Sequence, residues 1–127
     1  MQREHFEELV RRALEELPPR FAEHLANIEV EVRDLPSREE LRATRVGPGH
    51  TLLGLYQGIP QTRRGRGYQM VLPDRIIIYQ RPIERLCRSD DEVVQRVREV
   101  VIHEIAHHFG ISDARLEEIE GWRRRKQ

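Results

Sequence analysis

The chain has a single cysteine, Cys87, among its 127 residues. No disulfide can close within it, and no zinc site can be assembled from several thiolates. Lysine is nearly absent too: Lys126 stands alone against 21 arginines, a skew that GC-rich coding or thermal adaptation would each produce. An excess of one charge is also missing, with 22 basic and 22 acidic residues giving a formal net charge of +0. That balance argues against a dedicated binder of nucleic acid or of a membrane surface. Two local clusters, Arg63, Arg64 and Arg66 and then Arg123 to Lys126, read as a solvated loop and a frayed tail. No apolar run approaches the roughly 18 residues of a membrane span. The opening "MQREHFEELVRR" lacks the apolar core of a signal peptide. The expectation is a cytoplasmic protein with neither a membrane nor a nucleic acid as partner.

What remains is 38% hydrophobic and 35% charged residues, the balance of a soluble globular chain. The length suits one domain over residues 1–127, large enough to bury a core without disulfides. Phe6, Leu9, Val10, Ala13, Leu14 and Leu17 recur at three- and four-residue steps. They predict an amphipathic helix over about residues 2–17, stopped by Pro18 and Pro19. "RFAEHLANI" continues as a short second helix. "IEVEVRD", residues 28–34, alternates apolar and charged as a half-exposed strand does. Ser37 with Glu40 three positions on is a capping-box pattern for another short helix.

Residues 44–74 hold six of the eight glycines, with a short strand expected inside "TLLGLYQG" and loop elsewhere. So long a loop in a small domain is a candidate wall or lid over a cleft, or a surface excursion. "RIIIYQ", residues 75–80, is an apolar β-branched run, expected to be a strand covered on both faces. "PIERLC" gives a helical turn or two. Ser89 with Glu92 then caps a long helix over about residues 90–109, with Val93, Val94, Val97, Val100, Val101, Ile105 and Phe109 on one face and Gly110 at its C-terminal stop. A last helix is expected from about Asp113 to Trp122. The order of elements predicts an α+β domain with a small sheet.

The chemistry concentrates in "HEIAHHFGISD", residues 103–113. His103 and His107 are four apart on the long helix, so their imidazoles lie one turn apart on one face. Two nitrogen ligands for one metal ion need that placement. Glu104 is offset around the helix and can reach a water on the metal without ligating it, as the general base of an HExxH site does. Catalytic zinc takes three protein ligands and leaves a fourth position for water. Gly110 can adopt the left-handed conformation that reverses the chain, and the turn brings Asp113 back as the third ligand. Glu117, Glu118 and Glu120 compete with Asp113 for that role. HExxH alone arises by chance in roughly 4% of chains of this composition, and the Gly and Asp at their places lower this to roughly one in ten thousand.

His103 and His107 fall where the valine stripe meets the polar side carrying Glu92, Arg96 and Glu99, a boundary at which a cleft opens. His108 falls inside the stripe and is expected to be buried or to support the site, not to ligate. His5, His24 and His50 stand outside any ligand pattern. Tyr56, Tyr79 and His50 are candidate donors to an oxyanion. The strand around residues 75–80 is a candidate to pair with an extended peptide, although its apolar run belongs to a strand without a free edge. Zinc, one per chain, is the default for two histidines and a carboxylate; iron(II) and manganese accept the same trio.

The run "HEIAHHFGISDARLEEIE" resembles the small bacterial zincin-like metallopeptidases, and "LLGLYQGIP" and "LPDRIIIYQRPIERLC" match them as well. The resemblance extends from about residue 20 to residue 120. It implies a minimal zincin fold: a small mixed sheet packed against the active-site helix with flanking helices. It implies His103, His107 and Asp113 as zinc ligands and Glu104 as base. The longer motif is also similar to that of the metzincins, but their methionine turn is missing, since Met1 and Met70 both precede the motif. The function implied is zinc-dependent hydrolysis of a peptide bond in a peptide or unfolded protein, by a monomer or small homo-oligomer. The alternative is a non-catalytic metal- or peptide-binding module on the same scaffold.

Overall fold

A computed structural model describes residues 1–44, 52–58 and 73–110. Helix α1 spans Arg3–Glu15 and buries Phe6, Leu9, Val10 and Ala13, the apolar stripe its periodicity predicts. Helix α2, Pro19–Leu25, starts on Pro19 at its first turn, where a missing N–H costs nothing. Strand β1 is Ile28–Arg33. Helix α3, Arg38–Ala43, carries the full capping box: the Ser37 hydroxyl accepts from the Glu40 N–H, and the Glu40 carboxylate accepts from the Ser37 N–H. Strand β2 is Gly54–Gln57, and strand β3 is Asp74–Tyr79. Helix α4, Gln80–Leu86, follows β3 without a break. Helix α5, Asp90–His108, begins at the Ser89 cap. Gly110 follows it with φ of 69°, the left-handed stop that only glycine takes without strain.

The three strands form one mixed sheet in the order β1-β3-β2. β1 runs parallel to β3, from Ile28 opposite Asp74 to Arg33 opposite Tyr79. β2 runs antiparallel on the other side, from Gly54 opposite Ile78 to Gln57 opposite Arg75. Ile76, Ile77, Ile78 and Tyr79 are fully buried, as a central strand requires. β3 is thus closed on both edges and cannot take an added peptide strand. Among the described residues the open edge beside α5 belongs to β2.

The core lies between the sheet and the helices. Ile76 and Ile78 of β3 pack with Val93, Val97, Val101 and Ile105 of α5, and with Phe6 and Leu9 of α1 and Phe21 of α2. Each such buried side chain contributes roughly 1.5–3 kcal/mol of transfer free energy. Arg3 ties the helices to the far edge of the sheet. Its guanidinium donates to the Val32 carbonyl at 3.1 Å, to Asp34 Oδ1 at 2.5 Å and to Gln80 Oε1 at 2.7 Å. No described helix is long and apolar enough to cross a membrane.

Candidate active site

The site is built where α5 crosses the open edge of β2. Gly54 makes the approach close. A Cβ placed there would stand 2.4 Å from Val100 Cγ1 and 3.1 Å from the Ile77 carbonyl oxygen, so only glycine lets strand and helix meet at this distance. The Tyr79 N–H donates to the Leu53 carbonyl at 3.0 Å. With Gly54 opposite Ile78, the alternation of an antiparallel ladder turns the polar backbone groups of Leu53, Leu55 and Gln57 into the sheet. Those of Gly54 and Tyr56 face outward.

Glu104 uses that outward edge: the Tyr56 backbone N–H donates to Glu104 Oε1 at 2.8 Å. Burial pushes the Glu104 carboxyl above its ordinary value, opposed by the Tyr56 N–H and by the charges of His107 and His103. A carboxyl held in that balance suits a group that takes up and releases a proton.

His103 and His107 are exposed one turn apart on α5, with ring centroids 6.5 Å apart and ring planes at 71°. The His103 Nδ1 lies 2.8 Å from the Glu99 carbonyl oxygen. A carbonyl can only accept, so in the neutral ring the hydrogen sits on Nδ1 and the lone pair on Nε2, the tautomer a metal ligand needs. A cleft of about 260 Å³ opens beside His103, lined also by Leu53, Gly54, Arg96, Glu99, Val100 and Glu104. The hollow between α1 and β1 is larger, about 380 Å³, but Glu7, Arg11 and Glu29 are its titratable lining along with Glu31, and no histidine reaches it.

Two imidazoles with one free nitrogen fixed in place form a donor set that fits zinc. Among the described residues no third His, Cys, Asp or Glu joins them in a group able to hold a metal. Asp113, Glu117, Glu118 and Glu120 lie outside the described residues, as do His50 and the two arginine clusters.

A family model for zincin-like metallopeptidases matches residues 25–122. The chain belongs to that family. Membership points, at the level of the family, to zinc-dependent metallopeptidase activity. No curated protein matches the chain. The five described helices and the mixed three-stranded sheet agree with a small α+β zincin-like fold.

Other candidates fall elsewhere. Tyr79 is fully buried, and desolvation and the neighbouring Glu40 carboxylate push its phenol well above the ordinary value. It faces α3 and not the cleft. The Tyr56 hydroxyl is engaged, donating to Asp74 Oδ2 at 2.7 Å. His108 is exposed, not buried, because it lies beyond Ile105 and Ala106, the last residues of α5 that reach the core. Its ring stacks on Tyr56 at 3.9 Å and 15°. Phe109 is likewise 44% exposed and stacks on His24 at 4.1 Å. The residues that sequence reasoning missed are Gly54, the backbone of Tyr56 and Asp74. A glycine inside a strand pattern is a signal for close backbone approach; for the other two the sequence carries none.

Proposed function

We propose that the protein hydrolyses peptide bonds with a zinc ion held by His103, His107 and Asp113 and with Glu104 as general base. When bound, the zinc supplies Lewis acidity that acidifies water and polarises the scissile carbonyl. His103 presents Nε2 to the metal because the Glu99 carbonyl claims the Nδ1 hydrogen. Glu104 Oε1 is anchored on Tyr56, so Oε2 is the oxygen that accepts the proton of the attacking water. The same oxygen then delivers that proton to the leaving amine. The outward C=O and N–H groups of Gly54 and the C=O of Tyr56 are suited to an extended peptide laid along β2. The substrates of this reading are peptides or unfolded protein segments able to lie extended along that edge.

The observation that carries this reading is the pairing of two exposed histidines, one helix turn apart, with a half-buried, anchored carboxylate on the same helix. The test is metal content of the purified protein by elemental mass spectrometry, followed by a peptide-library screen. About one zinc per chain, lost in His103→Ala, with turnover abolished by Glu104→Gln while the metal stays, is the expected result. A Glu104→Gln protein that keeps every measurable activity would instead make the chain a metal-binding module.

A further inference from the structure

Tyr56 touches the site twice, through two different parts of the residue. Its backbone N–H holds Glu104 Oε1 at 2.8 Å. Its phenol donates to Asp74 Oδ2 at 2.7 Å, and its ring lies flat on His108, one turn of α5 beyond Glu104, at 3.9 Å between centroids. Behind the ring pair stands Gly58, where a Cβ would come to 3.4 Å from His108 Cε1 and 4.0 Å from Tyr56 Cε1. The register between strands explains why this matters. Tyr56 sits opposite Ile76, near the end of a four-residue strand, where ladder hydrogen bonds are few and fraying is expected. Asp74 opens β3 two residues before Ile76, so the Tyr56–Asp74 bond crosses the sheet diagonally and pins the strand end that the ladder leaves loose.

We propose that Tyr56 is the positioning residue for Glu104 and Asp74 its anchor: the Asp74–Tyr56 hydrogen bond and the Tyr56–His108 stack fix the end of β2, so that the Tyr56 N–H holds one carboxylate oxygen of Glu104 and leaves the other for chemistry. The kinetic part rests on the reading of Glu104 as base; the structural part does not. The outward N–H of Tyr56 is spent on Glu104, so a peptide docked on β2 finds the N–H of Gly54 and not that of Tyr56.

Amide hydrogen exchange of the full chain, followed residue by residue by NMR, separates the two parts. Tyr56 N–H points away from the ladder, so an amide without Glu104 would exchange quickly. The expected result is a protected Tyr56 amide in the natural protein and exchange faster by on the order of tenfold in Glu104→Ala. Tyr56→Phe and Asp74→Ala should speed the amide at position 56 similarly while leaving the amides of Ile76 and Ile78 protected. Zinc binding should be unchanged in both variants, because the histidine pair is local to α5. An unprotected Tyr56 amide in the natural protein, or protection untouched by Tyr56→Phe and Asp74→Ala alike, overturns the proposal. Loss of protection across β3 in both variants overturns it too, since Asp74 would then hold the sheet as a whole. Against a cleaved peptide, the positioning role predicts a fall in kcat with KM unchanged in Tyr56→Phe. Protection that behaves as expected in a protein that cleaves nothing would leave the positioning intact and remove the peptidase reading.

Discussion

Gly54 and Val100 meet so closely that a methyl group on the glycine would stand 2.4 Å from Val100 Cγ1. Gly54→Ala should therefore lower stability by about 1–3 kcal/mol, the usual cost of overpacking, read as a drop in Tm. Val100→Ala in the same chain should recover most of the loss, because it removes the atom that the new methyl strikes. A Gly54→Ala protein as stable as the natural one would mean that β2 and α5 do not close to this distance.

The third zinc ligand is open to a direct comparison. Asp113→Ala should weaken zinc binding at least tenfold, in line with the loss of a ligand or its close support. Glu117→Ala should leave it nearly unchanged. Zinc affinities measured by competition with a chelator, falling in the opposite order, would transfer the role to Glu117.

Glu40 links stability to pH. Desolvation acts to raise its pKa, but the Ser37 backbone N–H, the Tyr79 hydroxyl and the Arg33 charge outweigh it and hold the carboxyl below its ordinary 4.5. A group with a depressed folded-state pKa favours folding at pH above its unfolded value, and the benefit disappears as pH falls through the folded value. The stability gap between the natural protein and Glu40→Gln should thus be full at neutral pH and shrink below about pH 4.5. Denaturant melts across that range check it; a gap that widens in acid would contradict it. Ser37→Ala, which removes the other half of the capping box, should cost about 1 kcal/mol.

Arg3→Ala should destabilise by about 1–3 kcal/mol. The substitution strips partners from the Val32 carbonyl, Asp34 and Gln80, and Gln80 is buried, where an unmet polar group is costly. Differential melting is the measurement. A change within about 0.5 kcal/mol, typical of a surface site, would reduce Arg3 to a solvated contact.

The helices were legible because their signals are local. The stripe from Phe6 to Leu14, the Ser37–Glu40 and Ser89–Glu92 caps and the Gly110 stop are each written within a few residues, and each helix lies within two residues of its expected bounds where it is anchored by such a signal. The apolar run of β3 was legible too, since three successive isoleucines leave no polar face. The pairing was not. Nothing in "GLYQ" states that it will lie antiparallel to β3 on the side away from β1, because register and strand order come from long-range packing. His108 was misplaced for a related reason: periodicity assigns it to the apolar face, but only tertiary structure shows that the core along α5 ends at Ile105 and Ala106. Within the proposed site, the spacing alone puts His103, His107 and Glu104 on one helix, while the partner of Glu104 is a backbone amide, a group that every residue but proline has and no sequence pattern marks.

The Tyr56–Glu104 hydrogen bond spans 48 positions, whereas His103 and His107 are neighbours one turn apart on α5. The two halves of the chemistry therefore mature on different schedules. A helical segment alone suffices to pair the histidines, but closing a loop of that length carries an entropic cost repaid only by the assembled core. The spacing of the histidines is thus a property of the helix, whereas the Tyr56 anchor of Glu104 exists only once β2 has closed onto α5.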